Sequence, residues 1–282
     1  MCSNLVKNHG YPHVLVVLAV LQLIITCPGC SVKEDRDLCP CMLELDASGD
    51  EHSPDSLAFT LAGYSGAADG FLVEGQMAEH WKSMVPRGEM YLAAVRPSVT
   101  GTSPSLPSRG RWIAIDVGRE CPRVWTSCRR LSTRNERMSV PLALHKEYCE
   151  LTIFVRDISG GSFPYRLEVR GNVDGYLIDG TPSEGLFLAP AEYVDGRSSA
   201  PADIREAHVL LPRQLDSSLL LDIISDDDRS RTFAIGNYIE SSGYDWSSQD
   251  LKDIVLDIDY ASTTITFRIS SWQHTAQFEV VI

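Results

Sequence analysis

Between Ile254 and Ser270 the chain alternates apolar and polar residues with a period of two, and no other feature restricts its fold so tightly. Ile254, Leu256, Ile258 and Tyr260 fall on one face; Val255, Asp257 and Asp259 fall on the other. Further on, Ile265, Phe267 and Ile269 alternate with Thr264, Thr266, Arg268 and Ser270. Successive residues of a strand point to opposite sides, so each run is a strand with one buried and one wet face. Matching the faces gives a hairpin with residues 261–264 as the loop and sets Asp257 opposite Arg268. An exposed pair of this kind contributes about 0–1 kcal/mol, so it fixes register more than it stabilises.

The same period recurs upstream. Leu151, Ile153 and Val155 alternate with Thr152, Phe154 and Arg156, and Tyr165, Leu167 and Val169 with Arg166, Glu168 and Arg170. Further strands are expected at residues 42–46, 57–64, 71–76, 90–96, 112–117, 184–188, 208–211 and 219–224, and the end of the chain, 277–282, reads as a last strand. No long segment of period 3.6 interrupts them, and turn signals recur about every ten residues. The fold class is therefore all-β, built as two tandem antiparallel β-sandwiches. Short helices are expected at 236–242, stopped by Gly243, at Ser247-Ser248-Gln249-Asp250, which fits a capping box, and around 78–84. The polar stretch 132–137 follows roughly 90 residues of strands. It divides an N-terminal sandwich, 39–136, from a C-terminal one, 137–282. The loop Ser159-Gly160-Gly161-Ser162 is the competing boundary.

The first residues carry an export pattern. Lys7 precedes an apolar run from Val14 to Ile25, broken only by Gln22, and Thr26-Cys27-Pro28-Gly29-Cys30 follows. A membrane-crossing helix needs about 20 apolar residues, whereas a signal-peptide core takes about 7–15. Residues 1–29 read as a lipoprotein signal peptide, with small Gly29 preceding Cys30, the lipid-attachment residue. Residues 30–38 read as the lipidated tether, and several acyl chains on one cysteine hold a protein firmly to a bilayer. The charged string Lys33-Glu34-Asp35-Arg36-Asp37 resembles the export tag of surface-directed lipoproteins of Bacteroidetes-type bacteria.

Charge excludes one partner class. The whole chain carries a formal net charge of −13, and loss of Lys7 with the signal makes the balance more negative still. Nucleic acid rewards Lys and Arg, so no nucleic-acid partner is expected, and membrane attachment must come from lipid rather than charge. Of the eight cysteines, Cys2 and Cys27 leave with the signal and Cys30 takes the lipid. An oxidising compartment permits disulfides among the remaining five. Cys121 and Cys128 are candidates for a local bridge, and Cys149 for one to Cys39 or Cys41. Cys39-Pro40-Cys41 is too tight for the usual redox or zinc spacing.

No catalytic constellation stands out. Mature-chain histidines His52, His80, His145, His208 and His274 are scattered singly, without metal-ligand spacing, and His145-Lys146-Glu147 reads as surface polarity at the start of a strand. Asp226-Asp227-Asp228 offers clustered carboxylates to calcium but lacks the glycine and distal glutamate of a calcium loop, so it reads as a solvated turn. Asp257 and Asp259 are explained by strand alternation. There is no phosphate loop, dinucleotide fingerprint or nucleophile elbow. The expectation is a protein that is not an enzyme, with no cofactor, no metal and no small-molecule substrate.

Two segments together carry a family likeness. One is Cys30-Ser31-Val32-Lys33-Glu34-Asp35-Arg36-Asp37-Leu38-Cys39-Pro40-Cys41. The other is Gly236-Asn237-Tyr238-Ile239-Glu240, then Gly243-Tyr244-Asp245-Trp246, Leu251-Lys252-Asp253-Ile254 and Ile258-Asp259-Tyr260. Leu144-His145-Lys146-Glu147-Tyr148-Cys149 and Gly180-Thr181-Pro182 fit between them. In these motifs the chain resembles the fimbrillin-associated anchor lipoproteins of Bacteroidales-type bacteria, the FimB-like fimbrial anchors. The resemblance implies two transthyretin-like β-sandwiches, a lipid on Cys30, the outer membrane, and a place at the base of a fimbrium. It also implies strand complementation with fimbrial stalk subunits. The competing reading is a surface glycan-binding lipoprotein of a nutrient-uptake system.

Overall fold

The computed structural model describes residues 39–49, 57–63, 71–77, 80–96, 111–157, 165–177, 179–194, 204–227, 229–260, 264–270 and 275–281. All lie within one unit, 39–282. The strands run β1 (Cys41–Asp46), β2 (Leu57–Gly63), β3 (Phe71–Met77), β4 (His80–Val85), β5 (Glu89–Arg96), β6 (Arg111–Ala114), β7 (Trp125–Ser132), β8 (Arg137–Pro141), β9 (His145–Lys146) and β10 (Tyr148–Asp157). They continue with β11 (Tyr165–Leu177), β12 (Pro182–Pro190), β13 (Glu192–Tyr193), β14 (Ile204–Pro212), β15 (Leu220–Ser225) and β16 (Ser230–Phe233). One helix, α1 (Ile235–Ser241), precedes β17 (Ile254–Tyr260), β18 (Thr264–Ser270) and β19 (Thr275–Val281). The chain is all-β.

Two pairs of sheets result. A three-stranded sheet, β4-β1-β8, faces a five-stranded one, β3-β2-β5-β7-β9. Leu43 and Leu45 of β1, Val85 of β4 and Val140 of β8 pack against Met90, Leu92 and Ala94 of β5 and Leu131 of β7. A six-stranded sheet, β13-β14-β10-β17-β18-β19, faces β12-β11-β15-β16, with β6 added on β11. Their shared core takes Leu151, Ile153 and Val155 from β10 and Leu256 and Ile258 from β17. From the facing sheet come Leu167 and Val169 of β11 and Phe187 of β12. Alternation explains this directly: β1 is buried at every second residue, so its apolar side faces the core. Burying one such leucine contributes about 1.5–3 kcal/mol.

Several expectations need correction. Of the turn expected around 78–84, residues 78 and 79 lie outside the described residues and the rest is not helical: His80–Val85 is β4, alternating outward and inward. Residues 247–250 form turns rather than a helix. Asp245 takes the capping role instead, its Oδ1 accepting from the Ser247 amide at 2.8 Å and the Ser247 hydroxyl at 2.6 Å. The strand expected at 112–117 stops at Ala114. The sheets also contain two parallel ladders, β1 with β8 and β10 with β17. Alternation reports which face is buried and is silent on strand direction. Because β8 pairs with β1, strand pairing carries the first sheet pair past residue 136, up to β9.

The helix near 236–242 and its stop are as expected. Gly243 adopts φ +84°, and the Gly243 amide donates to the Glu240 carbonyl at 2.9 Å. In the terminal hairpin Asp257 lies opposite Arg268, the register that alternation dictates. Its loop, 261–263, falls outside the described residues.

Candidate interaction surface

The segment Leu144–Cys149 and the stretch Gly243–Ile254, far apart in sequence, meet in space. The Lys146 Nζ lies 2.6 Å from Asp253 Oδ1, and the Lys146 amide donates to Asp250 Oδ1 at 2.8 Å. In return the Leu251 amide donates to the Lys146 carbonyl at 3.1 Å. Glu147 accepts from Arg213 Nε at 2.9 Å and from the Thr126 hydroxyl at 3.1 Å. The same guanidinium donates to the Trp246 and Ser248 carbonyls at 2.6 and 2.7 Å. The Tyr176 hydroxyl donates to the Glu147 carbonyl and accepts from the Arg213 amide. Burial raises the Tyr176 phenol well above its usual range, and the neighbouring Cys121 adds to the effect. Glu147 is thus a part-buried structural node, not the surface polarity expected of it. Trp125 packs against both large cores beside this node.

The sheet edges are the surfaces that strand pairing makes available. Among the described strands, β19 pairs only with β18, from Thr264 opposite Val281 to Ser270 opposite Thr275. Phe278 of β19 packs against Tyr238, their ring centroids 4.9 Å apart. A strand edge with unpaired N–H and C=O groups is a template for another chain. On the three-stranded sheet, β4 is the opposite kind of edge. Its Lys82 pairs with Glu44 at 2.7 Å, His80 sits 3.2 Å from Asp46, and Met84 is exposed. Charges along an edge discourage indiscriminate pairing.

Of the expected site residues, Cys30 falls outside the described residues. Cys121 and Cys128 both carry free thiols in the structure. Cys121 belongs to the core of the second sheet pair, its amide bonded to the Leu210 carbonyl at 2.9 Å. Cys128 stands on β7 in the first pair, opposite Ala93. Burial pushes the thiols of Cys128 and Cys149 up to about 12. No cluster of His, Cys, Asp or Glu among the described residues has the arrangement of a metal site. No helix among them is long and apolar enough to cross a membrane. Asp227 of the acidic triplet accepts from Ser225 and Arg229 in the turn between β15 and β16.

Sequence reading missed the setting of His208. Its Nδ1 lies 3.0 Å from Glu150 Oε1 and its Nε2 2.8 Å from Glu206 Oε1, and Glu150 also pairs with Arg123 at 3.1 Å. Glu206 and His208 are two residues apart on one strand face, which was a legible signal. Glu150 comes from the neighbouring strand, which was not.

No family model matches the chain, and no curated protein matches it. Solved structures do. The fimbrial anchor protein Mfa2 from Porphyromonas gingivalis superposes with a TM-score of 0.57 at 14% identity, covering 84% of this chain and 99% of that one. A candidate adhesin from Bacteroides ovatus gives 0.56 at 11% identity, over 88% and 97% of the two chains. A candidate polysaccharide-binding protein from Bacteroides thetaiotaomicron gives 0.58 at 9%, over 84% and 98%. What these likenesses establish is a shared all-β fold over 84–88% of this chain.

Proposed function

We propose that this chain is a lipid-anchored fimbrial protein that fastens fimbriae to the outer membrane. The observation that carries the reading is the fold likeness to Mfa2 along 99% of that chain. The export pattern ending at Cys30 supports it independently. In this reading residues 1–29 are removed, Cys30 is acylated, and residues 30–38 tether a body of two tandem sandwiches. The two large hydrophobic cores support that two-domain division. Stalk subunits engage the body by adding a strand, and the free edge of β19 is one surface suited to it. The work is mechanical and asks no reaction chemistry of the protein.

Deleting the gene and separating cells from medium tests this. Fimbriae shed into the medium, or altered in length, are expected. A Cys30→Ala variant should reproduce the shedding, and mass spectrometry of the mature wild-type protein should find an acylated first residue. Fimbriae that remain on the deletion strain, unchanged in length, reject the anchoring role.

A further inference from the structure

We propose that β1 is a shear clamp, the element through which tension passes between the N-terminal tether and the second sheet pair. Its load rests on the anchoring role proposed above; its mechanics rest on strand topology alone.

The strand that follows the tether is not at an edge. β1 lies between β4 and β8, so both of its sides are paired. On one side the ladder runs from Cys41 opposite Val85 to Asp46 opposite His80. On the other it runs parallel, from Met42 beside Arg137 to Asp46 beside Pro141. Both ends of the parallel ladder are closed. The Met42 amide donates to the Glu136 carbonyl at 2.8 Å, and the Leu142 amide donates to the Asp46 carbonyl at 2.7 Å.

The direction of pull follows from where the chain leaves the first sheet pair. Among the described residues it passes to or from the second pair after β5, before β7 and after β9. Those points, Arg96, Trp125 and Lys146, stand side by side in one row of the five-stranded sheet. The start of β1 lies at the other end. Cys41 is opposite Val85, and residues 86–88 lead from Val85 into the start of β5 at Glu89. From Glu89 to Arg96 a strand advances about 23 Å. Tension applied at Cys41 and resisted at that row therefore acts along β1, not across it.

Ladder hydrogen bonds run across the strands. A lengthwise pull loads all of them together, whereas a sideways pull on an edge breaks them one after another. Side chains lock the register as well. Leu43 and Leu45 are fully buried, while Glu44 and Asp46 lie 2.7 and 3.2 Å from Lys82 and His80 on the other face. A slip of one residue would turn both carboxylates into the core and both leucines out of it. β1 thus has no adjacent register to slide into, and it leaves only when both ladders fail.

The test pulls single molecules of the mature full-length chain in two directions. For the lengthwise pull, one handle is at the N-terminus. The other is on an azide-bearing amino acid at position 143, an exposed site just past β8. For the crosswise pull, the handles are at positions 82 and 139, which flank Glu44 on β4 and β8 and are both exposed. At one loading rate the lengthwise rupture force should be at least about twice the crosswise force, with equal thermal midpoints for the two labelled proteins. Forced unfolding reports the unfolding barrier, so direction rather than stability then makes the difference. Glu44→Ala combined with Asp46→Ala removes the carboxylates that forbid a slip, and should lower the lengthwise force more than the crosswise one. Equal forces in the two directions, or a double variant that weakens both alike, overturn the clamp. The anchoring role is judged separately, by whether the deletion strain sheds its fimbriae.

Discussion

Glu147 and Arg213 form a largely buried ion pair, Nε to Oε2 at 2.9 Å, with the two side chains only 12% and 14% exposed respectively. Glu147 follows β9, which belongs to the first sheet pair, and Arg213 follows β14, which belongs to the second. The pair therefore lies where the two sets of sheets meet. Truncating one partner of a buried pair strands the other charge, which costs about 3–5 kcal/mol. Because Arg213 keeps its backbone carbonyl acceptors, Glu147→Ala should lose about 3 kcal/mol in urea unfolding. Adding Arg213→Met should recover part of that loss. A Glu147→Ala protein within about 0.5 kcal/mol of wild type, the usual range for a surface substitution, rejects the role.

Acid should loosen the sheet β12-β11-β15-β16 through Asp222. Burial pushes this carboxyl up, but hydrogen bonds from Arg170 and Thr232 and the Arg170 charge outweigh it, so the group sits below its ordinary value. Arg170 Nε and Nη2 reach its two oxygens at 2.5 and 2.9 Å. A depressed carboxyl contributes its stability above the unfolded-state value of about 3.9 and loses it as the pH falls through the folded value. Arg170 is 40% exposed, so water screens the pair and about 1–2 kcal/mol is expected at neutral pH. The thermal midpoint of wild type should therefore fall more steeply below about pH 4 than that of Asp222→Asn. Parallel melting profiles for the two proteins exclude this account.

What the sequence made legible, and what it hid, follows from the range of each interaction. Alternation at Ile254–Ile258 and Ile265–Ile269 is local, and it placed Asp257 opposite Arg268 correctly. The helix ending at Gly243 was legible because its stop lies one turn away. The helical turn expected around 78–84 gives way to a strand at His80–Val85, because pairing with β1, about 40 residues away, decides the conformation there. The parallel partner of β1 lies about 95 residues downstream, beyond the reach of any local pattern. Glu147 likewise looked like surface polarity, because Arg213, Thr126 and Tyr176 reach it from other strands.

Gly175 is a second point at which the sheets constrain a single residue. It adopts φ +151°, and a Cβ there would stand 2.0 Å from the Ile113 carbonyl oxygen, on the strand β6 that pairs with it. Gly175→Ala must push β6 away, separating Ile113 from its small core with Val95, Val124 and Tyr176. Overpacking and backbone strain together should cost about 2–4 kcal/mol. Hydrogen exchange should show lost protection along β6. The control is Gly118→Ala: φ there is +85° and the added methyl meets nothing within 4 Å, so only strain of about 1 kcal/mol is expected. Equal losses for the two variants contradict the steric explanation.

The cysteines offer the last prediction, because their reactivity reports the fold directly. Cys39 is exposed, whereas Cys41, Cys121 and Cys149 are buried. Only a thiolate reacts with an alkylating agent, and burial leaves the Cys149 thiol at about 12. At about pH 8 its thiolate fraction is on the order of 10⁻⁴, before any allowance for access. Iodoacetamide applied to the reduced, folded protein should therefore modify Cys39 within minutes. Cys121 and Cys149 should wait for opening of the core, at a rate that rises with urea. Peptide mapping by mass spectrometry separates the sites. Labelling of Cys121 as fast as Cys39 without denaturant would mean that the thiol is not enclosed between the sheets, and the packing described for the second sheet pair would be wrong there.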